Sequence, residues 1–195
     1  FDYGAGNIFS LKNSLEKTGA IVDVITDFDK PNIYSGLLLP GVGNFDPAIK
    51  NICKSSTDFN DYVKDNTPVL GICLGMEMFF EKSEEGNEKG LGVIKGDVII
   101  LPSLMKVPHM GWNNLEIKKS GKILEGVKDD AWVYFVHSYM VKPTNIDVIT
   151  AESDYGIKVP AVVEQGNFFG TQFHPEKSGK IGKIMIQNLL DVCKK

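Results

Sequence analysis

The apolar positions of this chain alternate between helical spacing and short unbroken runs. From Ile8 to Thr18, Ile8, Leu11 and Leu15 share one helical face and Gly19 supplies the stop. Ile21 to Ile25 then reads as a strand. Leu37-Leu38-Leu39 is a continuous apolar run closed by Pro40-Gly41-Val42-Gly43, which predicts a buried strand entering a glycine-rich turn. Asp46-Pro47 opens a helix and Asp58 to Asp65 predicts another. Val69-Leu70-Gly71-Ile72 is a further buried strand, followed by a helix over Leu74 to Lys82. The charged, glycine-bearing segment Glu81 to Gly90 reads as an exposed loop, with Glu81, Glu84, Glu85 and Glu88 solvated. Beyond it the pattern becomes strand-rich: Gly92 to Leu101, Leu115 to Lys118, Trp132 to Val136, Ile146 to Glu152 and Ala161 to Gln165. Gly166-Asn167 makes a hairpin into Phe168 to Phe173, and Ser178 to Cys193 is a closing amphipathic helix. Buried strands joined by helices imply an α/β fold with a parallel sheet and helical crossovers.

Composition narrows the class without altering this picture. The 195 residues predict one domain over residues 1–195, with no internal repeat or linker. Hydrophobic residues make up 43% and charged residues 24%, the balance of a globular chain. The net charge of −4 offers no basic face for nucleic acid. No apolar run approaches the roughly 20 residues that span a bilayer, so no membrane is expected. Three cysteines without a Cys-x-x-Cys pair fit a reducing cytoplasm. Because Phe1 and the turn residues Asp2 to Asn7 open the sequence, an N-terminal strand is expected to be truncated.

Candidate chemistry begins at Cys73. Gly71-Ile72-Cys73-Leu74-Gly75 sits between an apolar strand and a helix, the setting of a nucleophile elbow, whose glycines admit close backbone. The helix N-terminus favours the thiolate; the competing reading is a small buried hydrophobe. Among three histidines, His174 stands at the end of a strand and is followed by Pro175-Glu176. Proline favours extended backbone before it, and residues two apart in extended chain point the same way. Glu176 would then hold one imidazole nitrogen while the other faces Cys73. Against this stand a backbone-bonded His174 and a solvated Glu176. Oxyanion donors are expected from the Leu74 N–H and from the Pro40–Gly43 loop, whose glycines let a peptide unit turn over. His109 and His137 read as structural or interface residues. No metal and no cofactor are expected.

Pro40-Gly41-Val42-Gly43, Gly71-Ile72-Cys73-Leu74-Gly75-Met76 and Gln172-Phe173-His174-Pro175-Glu176-Lys177-Ser178 occur in this order. Together they resemble a class I (triad) glutamine amidotransferase along essentially the whole chain. Asp2 to Asn7, Pro108 to Asn113 and Phe135 to Tyr139 are similar to the glutaminase subunits of imidazole glycerol phosphate synthases. The resemblance implies a flavodoxin-like three-layer fold, with a central, mostly parallel sheet, an added antiparallel region and helices on both faces. It implies L-glutamine as substrate, with Cys73 as nucleophile, His174 as base and then acid, and Glu176 orienting His174. Val42, Gly43 and Leu74 would hold the oxyanion, and Gly41, Glu77, Ser138 and Tyr139 the glutamine. Ammonia would pass to a (βα)8-barrel cyclase subunit, HisF, in a heterodimer that converts PRFAR to imidazole glycerol phosphate and AICAR. Asn7, Trp112, Tyr134 and Lys177 would meet that partner. One position departs: relatives carry Gln where this chain has Glu77, so the substrate's α-ammonium would meet a carboxylate, or Glu77 turns outward on its helix. Two alternatives stay open: a paralogue supplying ammonia for bacterial surface-sugar synthesis, and a different Cys hydrolase or an inactive scaffold.

Overall fold

The computed structural model describes residues 1–4, 8–28, 33–55, 57–63, 67–103 and 105–194. In chain order the helices are α1 (Ile8–Glu16), α2 (Phe45–Cys53), α3 (Phe59–Tyr62), α4 (Leu74–Glu77) and α5 (Gly179–Cys193). The strands are β1 (Leu37–Leu39), β2 (Val69–Ile72), β3 (Lys82–Ser83), β4 (Gly96–Ile100), β5 (His109–Asn114) and β6 (Glu116–Ile117). They continue with β7 (Trp132–His137), β8 (Tyr139–Pro143), β9 (Ile149–Asp154), β10 (Lys158–Gln165) and β11 (Phe168–Thr171).

The main sheet has the order β1-β2-β11-β10-β9-β6. Strands β1, β2 and β11 run parallel, whereas β10, β9 and β6 pair antiparallel. The expected sheet is therefore mixed, with its parallel half holding the candidate site. Every residue of β2 is buried, as the unbroken apolar run demands of a strand covered on both faces. Val69 joins a core with Phe45, Phe79 and Phe80, while Leu70 and Ile72 join the opposite core with Met185, Ile186 and Leu189. Two smaller sheets, β3-β4-β8 and β5-β7, flank the main one.

Several expectations change. Ile21 to Ile25 is not a strand: among the described residues its backbone bonds to another segment only through the Asp2 N–H on the Ile25 carbonyl, 2.7 Å, and a strand needs a ladder. That segment borders a cavity of about 770 Å3 lined also by Leu11, Leu15 and Leu37. The helix after Cys73 ends at Glu77, not Lys82, because Lys82 and Ser83 pair with Asp97 and Val98. The 81–90 segment is correspondingly no free loop. Glu81 accepts the Gly96 N–H at 3.0 Å, Glu84 that of Ile100 at 2.8 Å, and Glu85 that of Phe45 at the start of α2, 3.0 Å. Strand β5, hidden by its polar composition, exists because it is matched residue for residue with β7.

Candidate functional site

Strands β2 and β11 lie side by side and parallel, so the chain leaves both of them at one edge of the sheet. Cys73, directly after β2, donates its backbone N–H to the Thr171 carbonyl at the end of β11, 2.6 Å. Its backbone is forced to φ 49°, unusual for any residue but glycine, as the elbow pattern requires. The glycines do what the pentapeptide predicts. A Cβ on Gly71 would stand 2.5 Å from the Gly75 carbonyl carbon. One on Gly41 would stand 2.1 Å from the Ile72 oxygen, so the Pro40–Gly43 loop packs against the elbow itself. Gly41 is buried, Val42 and Gly43 are exposed, and Gly43 has φ 131°.

The thiol is buried and donates to the Val136 carbonyl, 3.8 Å. Burial, then Glu77, push its pKa well above the ordinary thiol value; the Leu74 N–H and Gln172 act against them. The resting sulfur is thus a protonated thiol. The helix N-terminus was expected to favour thiolate, but α4 is a four-residue helix and desolvation outweighs it.

Gln172, Phe173 and His174 continue from β11. His174 is buried, and its Nδ1 lies 2.9 Å from Glu176 Oε1. Its Nε2 makes no hydrogen bond among the described residues. The carboxylate reaches the ring through a single 3-10 turn, Pro175–Lys177, not through the extended chain expected: only His174 itself is extended. The His174 N–H donates to Tyr134 O, 3.0 Å. The Ser178 hydroxyl donates to His174 O at 2.7 Å and accepts from Tyr134 N–H at 3.0 Å.

Glu77 turns inward, with 4% of its surface exposed, and burial raises its pKa to about 8. Gln172 donates through Nε2 both to Glu77 Oε1, 3.3 Å, and to Cys73 Sγ, 3.6 Å. Gln172 opens the motif that runs to Ser178, but the sequence gives it no role; its signal is a polar residue inside the apolar run Phe168–Phe173. His109 and His137 form a buried pair, Nδ1 to Nε2 at 3.0 Å. His137 Nδ1 must donate to Tyr139 O, 2.7 Å, since a carbonyl only accepts. His137 Nε2 then accepts, His109 Nδ1 donates, and His109 Nε2 takes the Asn113 amide N–H at 3.4 Å. The pair ties β5 to the half-buried Ser138 and Tyr139.

Of the expected partner contacts, Trp112 and Tyr134 sit directly opposite in the β5–β7 ladder, ring centroids 5.9 Å apart, and Lys177 lies over Tyr134. Asn7 lies outside the described residues. Trp112 is 52% exposed. Among the described residues no three His, Cys, Asp or Glu side chains gather as metal ligands, and no helix is long and apolar enough to cross a membrane.

The sequence profile of "Glutamine amidotransferase class-I" matches residues 1–192. The chain belongs to the class-I glutamine amidotransferase family. As an amidotransferase it is an enzyme that releases the amide nitrogen of glutamine. It is 43% identical over 192 residues to "Imidazole glycerol phosphate synthase subunit HisH" of Methanocaldococcus jannaschii, covering 98% of this chain and 97% of that one. It is 44% identical over 196 residues to the subunit of the same name from Archaeoglobus fulgidus, covering 100% and 98%. Among solved structures it is similar to a glutamine amidotransferase, TM-score 0.76 at 18% identity over 98% of this chain and 96% of that one. The glutaminase domain of Trypanosoma brucei CTPS with bound acivicin superposes with TM-score 0.69 at 17% identity, covering 95% and 87%. These two likenesses carry the amidotransferase fold.

Proposed function

We propose that this amidotransferase is the glutaminase subunit of an imidazole glycerol phosphate synthase, acting in the cytoplasm, with Cys73, His174 and Glu176 as its triad. The relatives over nearly the full chain support the assignment, and one observation carries the residue roles: a strained, buried Cys73 shares a sheet edge with the His174–Glu176 pair. The sulfur gives its proton to His174 Nε2 and its electron pair attacks the side-chain amide carbon of glutamine. The tetrahedral oxyanion meets backbone N–H groups of Leu74 and the Val42–Gly43 loop. The C–N bond breaks as ammonia leaves with the proton from His174, and Glu176 steadies the imidazolium while it exists. Water, deprotonated by His174, then cleaves the glutamyl thioester to glutamate and restores the thiol. Gly41, Glu77, Ser138 and Tyr139 hold the substrate. The ammonia passes to a cyclase partner of the HisF type, a (βα)8 barrel seated on Trp112, Tyr134 and Lys177, which uses it on PRFAR.

The buried, protonated thiol gives this reading its direct test. In complex with the cyclase, Cys73→Ala is expected to abolish glutamine-dependent synthesis while leaving synthesis from ammonium salts intact. Glutamate release by the variant at the native rate would remove Cys73 from the nucleophile's role.

A further inference from the structure

Gln172 is 0% exposed. Its backbone is pinned by donation to Ala161 O, 2.9 Å, next to the Thr171 carbonyl that receives Cys73 N–H. The side-chain nitrogen spends its two hydrogens on Cys73 Sγ and Glu77 Oε1, whereas Oε1 of the same amide makes no hydrogen bond among the described residues. Leaving a buried carbonyl unpaired is costly. Glu77 Oε1 accepts from the same nitrogen that reaches the sulfur, so a carboxyl holding its proton on the other oxygen keeps the donor end of the amide toward Cys73.

We propose that Gln172 is a further catalytic residue of the glutaminase reaction, donating an N–H to the Cys73 sulfur, and that Glu77 is the residue positioning it. This rests on Cys73 being the nucleophile. Glu77 from α4 and Glu176 from the turn after His174 both work against charge on the sulfur, while the Tyr3 hydroxyl of the N-terminal segment, its own pKa raised by burial, faces it neutral. Glu77 in turn faces Glu85 and Tyr139. Beside the His174 imidazolium formed in the reaction, the Leu74 N–H and Gln172 are the hydrogen-bond donors that favour negative charge on the sulfur. A thiolate is a far better acceptor than a thioester sulfur. The Gln172 bond is therefore strongest when the proton has moved to His174 and again when the thioester breaks and sulfur recovers its electron pair. Such a bond raises kcat and leaves substrate affinity alone.

The test measures iodoacetamide alkylation of Cys73 against pH in the cyclase complex, with mass spectrometry separating Cys73 from Cys53 and Cys193. Gln172→Met, matched in length and lacking the donor, is expected to move the alkylation midpoint up by about one pH unit and lower kcat roughly tenfold or more. KM for glutamine should stay within about twofold. Glu77→Gln and Glu77→Leu both delete the charge, but only the former keeps an acceptor for Gln172. The midpoint of Glu77→Leu should then lie above that of Glu77→Gln. A Gln172→Met midpoint equal to the native one, a rise in KM at unchanged kcat, or equal midpoints for the two Glu77 variants each overturns the proposal. If instead Cys73→Ala keeps glutamine turnover, it is the nucleophile assignment that fails.

Discussion

Glu77 shows how far a single side chain's environment can differ from its type. A carboxyl with a pKa of about 8 is neutral through most of the physiological range, because burial penalises its charged form. Between pH 4.5 and 8 the folded chain holds a proton here that the unfolded chain has lost, so stability falls as pH rises through that window. Glu77→Gln removes this dependence. Thermal melts are expected to show the variant gaining on the native chain by a few kcal/mol between pH 5 and pH 9, about 1.4 kcal/mol for each unit the pKa is displaced. Equal slopes for both proteins would mean Glu77 stays ionised when folded. Identity at 77 was plain in the sequence, and so was the presence of an acid beside a cysteine. Its burial was not, because α4 is too short for a face to be read from periodicity. The role of Gln172, named only as part of a motif, was illegible for a related reason: a polar residue in an apolar strand looks like tolerance until its partners are known.

At the scale of elements, legibility came from period and punctuation. The runs Leu37–Leu39 and Val69–Ile72, the Gly166-Asn167 hairpin and the last helix were readable because each has one dominant pattern and a glycine or proline boundary. Strand β5 carries His109, Asn113 and Asn114, and its existence depends on β7 lying opposite, a long-range fact that no local window contains. Conversely, Ile21 to Ile25 has strand composition without a ladder. The His109–His137 pair belongs at this scale, since it joins β5 to the start of β8. Burial lowers both pKa values to about 4. The folded chain therefore binds fewer protons than the unfolded one between pH 6.5 and 4. The pair's contribution is whole above pH 6.5 and drains away as pH falls through 4. His137→Gln should flatten this acid-side loss of melting temperature, and a native-like slope in the variant would locate the acid sensitivity elsewhere.

For the whole molecule, the order of the strands decides function more than any one of them. Placing β11 between β2 and the antiparallel strands carries His174 to the edge where Cys73 emerges, across 101 positions of sequence. The motifs made that convergence an expectation; the hydrogen-bond routes through Val136, Tyr134 and Ser178 came only with the fold. The exposed Trp112–Tyr134–Lys177 face is the other large-scale feature, an aromatic cluster of the kind that anchors interfaces. Trp112→Ala, cutting away a half-exposed ring, should leave the melting temperature of the isolated chain within about 2 °C. It should weaken cyclase binding roughly thirtyfold, as a central aromatic anchor does. Scanning calorimetry checks the first half and calorimetric titration the second, and unaltered affinity would move the proposed partner's seat to another face.

The Ser178 hydroxyl gives this face a mechanical meaning. One oxygen grips the carbonyl of the imidazole-bearing residue and the amide of the aromatic one, while a main-chain bond closes the ring from the other side. Imidazole and phenol thus ride on a single riveted plate, and the lever arm between them cannot lengthen without tearing the direct bond together with one half of the hydroxyl bridge.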